Sequence, residues 1–205
     1  MWRDYMNTIV LASNNKHKIK EFREILKDYQ ILSLADIQFF EDIVEDGDTF
    51  FDNALIKAKT IHDYLIQKHY NYAVIADDSG LCVTSLKGEP GVHSARYAGN
   101  HDDKANRNRL ITNLKEYDDK SAYFVCQLIY YPIEGEYISC QGKTSGKIIE
   151  EERGSDAFGY DCIFLSDDLG KTFGEASEIE KNSVSHRSRA IYELLHLLQQ
   201  KNDEL

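Results

Sequence analysis

Apolar residues along the chain fall into short unbroken runs and helically spaced series. Thr8-Ile9-Val10-Leu11-Ala12 is an unbroken, β-branched run, which predicts a strand buried on both faces. Ser13-Asn14-Asn15 follows as a turn or helix cap. Ile19, Phe22, Ile25 and Leu26 then recur at helical spacing, with Lys16, Lys18, Lys20 and Glu21 among the other positions. Residues 36–44 fit neither period cleanly, and a short strand is one option there. Residues 45–49 read as a loop running into a helix cap. Phe51, Ala54, Leu55, Ala58, Ile61 and Leu65 mark one face of a long helix ending near residues 68–71. Residues 72–76 predict a second buried strand, with residues 77–80 leaving it as a loop.

Lys87-Gly88-Glu89-Pro90-Gly91 is turn chemistry. Residues 103–114 read as a polar helix and residues 121–131 as a long strand. A turn at residues 134–136 leads to a hairpin partner at 137–143. Residues 146–152 extend the sheet, 154–159 form a loop and 162–165 a short strand. The last helix carries Ile191, Leu194, Leu195 and Leu198 on one face. A chain that opens β-α-β and continues in long hairpin strands predicts an α/β fold with a mixed central sheet flanked by helices. No repeat, low-complexity tract or Pro-rich linker divides it, so residues 1–205 read as a single domain. Met6 stands just before the first strand, so residues 1–6 read as an N-terminal extension or an upstream start.

The formal net charge of -11 argues against nucleic acid and anionic membranes as partners, since both need a basic footprint. It leaves room for a small anionic substrate, because a few lysines and a metal make a positive pocket on an acidic body. The four cysteines, Cys82, Cys126, Cys140 and Cys162, form no CxxC pair and read as reduced thiols. No segment approaches the roughly 20 apolar residues that span a bilayer, and no apolar leader precedes a cleavage site. The expected location is cytoplasmic.

The chemistry is concentrated in six clusters. Asp77-Asp78-Ser79-Gly80 closes a buried run, where two adjacent carboxylates are costly because each resists desolvation and each repels the other. They point to something positive seated against them, most often a divalent metal. One can hold the metal while its neighbour orients or deprotonates water, and Ser79 can donate to a phosphate; an Asx turn is the plainer reading. Ser13, Asn14, Asn15, Lys16, His17 and Lys18 lie where a strand ends and a helix begins, and free N–H groups there suit phosphate. A plain cap followed by solvated lysines is the alternative, and the GxxxxGK[ST] pattern is absent. Glu45 and Asp46 sit in a Gly-containing loop and complete a Mg²⁺ site if they meet Asp77 and Asp78. Arg96 is a candidate phosphate fork, whereas His93 reads as an ordinary surface or core histidine. Phe158-Gly159-Tyr160-Asp161 offers two aromatics for a purine, with Asp161 at a base edge or the metal, or else a tight turn with core aromatics. Ser185 caps the last helix and places His186 and Arg187 in its first turn, where cations oppose the dipole and an anion or base carbonyl would account for them.

Taken in order, these segments resemble one family. Val10-Leu11-Ala12-Ser13-Asn14-Asn15-Lys16-His17-Lys18-Ile19-Lys20-Glu21 is similar to its opening (T/S)xNxxKxxE. Glu45-Asp46-Gly47-Asp48-Thr49-Phe50 with Asn53-Ala54 resembles its acidic loop and second helix. Ile75-Ala76-Asp77-Asp78-Ser79-Gly80-Leu81, Pro90-Gly91 with Ser94-Ala95-Arg96-Tyr97, Phe158-Gly159-Tyr160-Asp161 and Ser185-His186-Arg187 resemble the rest. The family is the Ham1-like inosine triphosphate pyrophosphatases, and the resemblance runs from about Thr8 to Leu198.

The resemblance implies two lobes around an active-site cleft and a homodimer. It implies Mg²⁺, one or more ions per subunit, and hydrolysis of ITP, dITP and XTP to the monophosphate and pyrophosphate. By the same resemblance Ser13, Asn14, Asn15, Lys16, His17 and Lys18 bind the triphosphate, with Arg96 a further substrate contact. Glu45 and Asp78 hold metal, Asp78 is the general base with Asp77 beside it, and Ser79 binds substrate. Phe158, Gly159, Tyr160, Asp161, Lys181, His186 and Arg187 surround base and phosphates. Donors such as His186 and Arg187 suit the 6-oxo group of hypoxanthine and xanthine and disfavour adenine. Asn14, Cys162 and Phe173-Gly174-Glu175-Ala176 depart from the family's usual glycine, proline and Met-Ala-Glu-Leu. The other readings are a pyrophosphatase for modified pyrimidine nucleotides, separable by a substrate panel, and a purine-nucleotide sensor that binds without turnover.

Overall fold

The computed structural model describes residues 8–99, 101–155 and 158–203; the expected extension at residues 1–6 lies outside them. Strand β1 (Thr8–Leu11) is buried along its whole length, as its β-branched run requires. It leads into α1 (Lys16–Ile25), which buries Phe22, and then into β2 (Gln30–Leu32), a short strand that the sequence pattern does not announce. Helix α2 (Phe50–Gln67) begins at Thr49, whose side chain and that of Asp52 form a reciprocal capping box. Strand β3 (Ala73–Val83) runs straight through residues 77–80, where a loop was expected, so Asp77 and Asp78 lie inside a strand.

A 3-10 segment (Gly91–Arg96) precedes α3 (Asp103–Leu114), β4 (Ser121–Tyr131) and β5 (Ile138–Ile148). The expected hairpin partner and the sheet extension after it are one continuous strand, β5. Strand β6 (Phe164–Ser166) and helices α4 (Glu178–Val184) and α5 (His186–Asp203) complete the chain. The six strands form one sheet in the order β2-β1-β3-β4-β5-β6. β1 pairs in parallel with β2 and β3, and β5 pairs antiparallel with β6, so the sheet is mixed as expected. Among the described residues no helix is long and apolar enough to cross a membrane.

The chain divides into two compact units. The first takes Met1–Asp78, Gln127–Gln141 and Ala190–Leu205, and the second Ser79–Cys126 and Gly142–Arg189. In the first, Val10, Val74 and Ala76 pack with Ala54, Ala58, Ile61 and Leu65 of α2. In the second, Leu81, Val83, Leu110, Phe124, Phe164 and Phe173 form the core. All four cysteines are buried and outside any disulfide.

Candidate active site

In the first unit, β1 ends and the chain turns into α1 through two side-chain caps. Ser13 Oγ accepts from the Asn15 N–H at 3.1 Å, and Asn15 Oδ1 accepts from the N–H groups of His17 and Lys18 at 3.0 and 3.2 Å. Asn14, Asn15, Lys16 and His17 are exposed at this helix start, so the expected anion-binding positions are open to solvent. Lys18 instead turns back to Asp77, with Nζ 2.9 Å from Oδ2.

Strand periodicity separates the two adjacent carboxylates. Successive side chains leave a strand on opposite faces, so Asp77 meets Lys18 from α1 while Asp78 shares the face of Val74 and Ala76 and meets α2. Each carboxylate thereby has a different nearest cation, although Lys18 also acts on Asp78 and Asp77 also acts on Lys57. On the α2 side, Lys57 Nζ donates to Glu45 Oε2 at 2.8 Å and stands 4.0 Å from Asp78 Oδ1. Asn53 Nδ2 donates to Asp78 Oδ2 at 3.1 Å, and Asn53 Oδ1 accepts from the Gly47 N–H at 2.9 Å. Glu45 and Asp78 thus converge on one ammonium, whereas Asp46 is exposed. Burial pushes Asp78 above the usual carboxylate range, against the pull of Lys57, Lys18 and the Asn53 hydrogen bond. Burial also works against the charge of Lys57, but attraction to Asp77, Asp78 and Glu45 outweighs it and holds the lysine above its ordinary range.

The donor set suits a hard cation. Two carboxylates already face one positive centre, and oxygen ligands of this kind are what Mg²⁺ takes. Among the described residues no three His, Cys, Asp or Glu side chains gather into a closed metal site. An ion here would complete its shell with water and substrate oxygens, as Mg²⁺ commonly does.

The second unit gathers the aromatic and cationic residues. Ser185 Oγ accepts from the Ser188 N–H at 3.1 Å, the expected cap of α5, and His186 and Arg187 stand in the first turn, both buried. The His186 ring stacks on Phe124 at 4.9 Å between centroids. Lys181 on α4 pairs with Asp161 at 2.5 Å and lies over the Phe173 ring. Asp161 therefore holds a lysine here and is itself buried. Tyr160 is a core residue whose hydroxyl donates to the Ser94 carbonyl at 2.9 Å. Phe158 is the half-buried aromatic of the pair. Gly159, at φ 56°, is held on both its backbone groups by α3: its N–H donates to Asp103 Oδ2 and its carbonyl accepts from Arg107, each at 2.8 Å. Arg107 also donates to Glu152 at 2.8 Å. Ser79 is half-buried, and Arg96 and His93 are exposed.

Four residues take parts that the sequence alone does not assign, Asn53 appearing there only within a resembling segment. Asn53 and Lys57 are polar residues one helical turn apart on the buried side of α2, beside Ala54 and Ala58. A lysine on the inward edge of an amphipathic helix was the available signal. Asp103 and Arg107, likewise one turn apart on α3, reach a loop more than fifty positions away, and nothing local announces that.

Comparison with known proteins shows the family to which the chain is similar. The model of the Ham1 family matches residues 9–197. A dITP/XTP pyrophosphatase of Clostridium perfringens (strain 13 / Type A) is 45% identical over 195 residues, covering 92% of this chain and 96% of that protein. The dITP/XTP pyrophosphatase of Bacillus subtilis (strain 168) is 43% identical, covering 95% and 98%. The structure of the Staphylococcus aureus Ham1 protein superposes with a TM-score of 0.83 at 39% identity, covering 95% of this chain and 99% of that one.

Proposed function

The chain belongs to the Ham1 family, and on that premise we propose that it hydrolyses non-standard purine nucleoside triphosphates (dITP, XTP and ITP) to the monophosphate and pyrophosphate. The observation that carries this reading is the convergence of Glu45 and Asp78 on the Lys57 ammonium, next to an Asp77 held by Lys18. Such a cluster combines negative charge able to take a proton with positive charge able to meet a polyphosphate.

In this reading a water attacks the α-phosphorus, the bond to the bridging oxygen of the β-phosphate breaks, and pyrophosphate leaves. The proton of the water passes to the Asp78 carboxylate. Lys18 and Lys57 offset charge on the phosphates, and the exposed start of α1 offers backbone N–H groups to the same end of the substrate. Glu45 and Asp78 would hold Mg²⁺, which when bound supplies charge neutralisation on the polyphosphate. In the second unit, His186, Arg187 and Phe158 are assigned to the purine, and Lys181, fixed by Asp161, to a phosphate or the base edge. A cytoplasmic homodimer accompanies the reading.

The test is to incubate the purified protein with dITP, XTP, ITP, ATP and GTP, with and without Mg²⁺, and identify the products. Monophosphate and pyrophosphate from the inosine and xanthosine substrates, with metal only, is the expected result. Orthophosphate release, preference for pyrimidine nucleotides, or binding without turnover would each replace this reading with another.

A further inference from the structure

We infer that Asn53 is a positioning residue that couples the Glu45 loop to Asp78; this rests on the reading of Asp78 as the carboxylate that takes the proton of the water. Asn53 is 2% exposed, so no solvent competes for its amide. An asparagine amide is chemically two-ended, since Oδ1 only accepts and Nδ2 only donates. The Gly47 N–H can only donate, and it lies 2.9 Å from Asn53 Oδ1. That contact fixes which end of the amide faces the strand: Nδ2 lies 3.1 Å from Asp78 Oδ2.

The consequence is a carboxylate with two unlike oxygens. Oδ2 accepts from Asn53, while Oδ1 lies 4.0 Å from the Lys57 ammonium that also meets Glu45. The same amide ties the loop carrying Glu45 to the strand carrying Asp78, so the two carboxylates are set by one buried side chain. Gly47 fits this closeness: a Cβ there would stand 2.9 Å from Asn53 Oδ1 and 2.5 Å from Asp52 Cβ. Asn53 and Lys57 are one turn apart on α2, so a single helix face supplies both the clamp and the cation.

The experiment compares Asn53→Ala, Gly47→Ala and the double variant in the full-length protein, with Asp78→Asn alongside. Steady-state kinetics on dITP with Mg²⁺ are measured together with hydrogen exchange of the Gly47 amide in the metal-free protein. Asn53→Ala is expected to lower kcat on the order of 10- to 100-fold with little change in KM, as loss of a supporting hydrogen bond around an active centre does. The Gly47 amide should lose its protection, and the double variant should lose no more kcat than Asn53→Ala alone. A wild-type kcat in Asn53→Ala, or losses that simply multiply in the double variant, would overturn the inference. If Asn53→Ala does not fold, Gly47→Ala carries the test, since it displaces the amide from the loop side; an unchanged kcat there overturns the coupling. An active Asp78→Asn protein would sink the underlying assignment of the base, whereas an inactive Asp78→Asn beside a fully active Asn53→Ala would sink the Asn53 inference only.

Discussion

Asp77 and Asp78 are consecutive in β3 yet answer to different helices: Lys18 of α1 lies 2.9 Å from Asp77, and Lys57 of α2 lies 4.0 Å from Asp78. Two ionised carboxylates on one face would hold each other's charge down; on opposite faces each meets a different nearest cation, and the two lysines also act on both. The arrangement makes Lys57 the more exacting partner, because it is buried and serves Glu45 as well.

Lys57→Met should therefore damage both fold and function. Removing the cation leaves Glu45 and Asp78 facing each other in a partly desolvated site, and breaking a buried ion pair from one side costs about 3 kcal/mol. Because the folded-state pKa of Lys57 is raised, its contribution is fully present below lysine's ordinary pKa and is lost only as pH rises through the folded value. The loss on mutation should thus be seen undiminished across neutral pH. Urea denaturation at pH 7 measures it, and turnover of dITP should fall about 100-fold or more. A Lys57→Met protein of wild-type stability would show that the two carboxylates do not depend on it.

Asp78→Asn should separate function from stability. Turnover is expected to fall at least about 100-fold, the range attributed to a general base. The folded-state pKa of Asp78 is raised, so the group favours folding most below its unfolded pKa, and that advantage fades as pH rises through the folded value. At pH 7 the wild type carries the cost of the buried charge, and the asparagine does not. The melting temperature of Asp78→Asn should equal or exceed that of the wild type at pH 7, with the gap narrowing on acidification. A clear drop in melting temperature at pH 7 would contradict this.

How far the sequence showed these contacts follows from how local each one is. The caps at Asn15, Thr49 and Ser185 were readable because a short polar side chain before an amphipathic run bonds backbone two or three residues on. The length of β3 was misjudged because a charged pair ordinarily ends a buried strand; here Lys18 and Lys57 neutralise it, and their arrival depends on tertiary packing. Tyr160 shows the same limit. An aromatic beside a glycine suits a ligand platform and a core equally, and the hydroxyl's bond to Ser94, sixty-six positions earlier, which packs the ring into the core, is not local.

Arg107→Met should weaken purine binding more than chemistry. The guanidinium holds the Gly159 carbonyl and Glu152, both at 2.8 Å, next to Phe158. Methionine keeps the apolar stem but releases the Gly159 carbonyl. Loss of a charge-assisted bond of this kind is worth about 1.5–3 kcal/mol. KM for dITP is expected to rise about tenfold, with kcat nearly unchanged. An unchanged KM would show that the loop keeps its place without α3, and Asp103→Asn, which weakens only the grip on the Gly159 N–H, grades the effect.

The helix that carries Lys181 should lose its cap in acid. Glu180 accepts from the Ser177 N–H and hydroxyl, both at 2.9 Å, and from Lys171 at 2.7 Å. These contacts, led by the Lys171 hydrogen bond, pull its carboxyl from 4.5 down to about 2. A depressed folded-state pKa gives stability that is present above the unfolded value and is lost as pH falls through the folded one. The window for α4 therefore runs from about 4.5 down to about 2. Hydrogen exchange of α4 amides should accelerate across that window in the wild type. In Glu180→Gln, which keeps the shape of the side chain but not its charge, exchange should already be faster at pH 7 and change little below it. Since Lys181 is the next residue and its ammonium meets Asp161 at 2.5 Å, the same variant should also loosen that pair, read as a higher KM for dITP at neutral pH. Flat wild-type exchange from pH 5 to pH 2 would show that Glu180 does not hold the helix start.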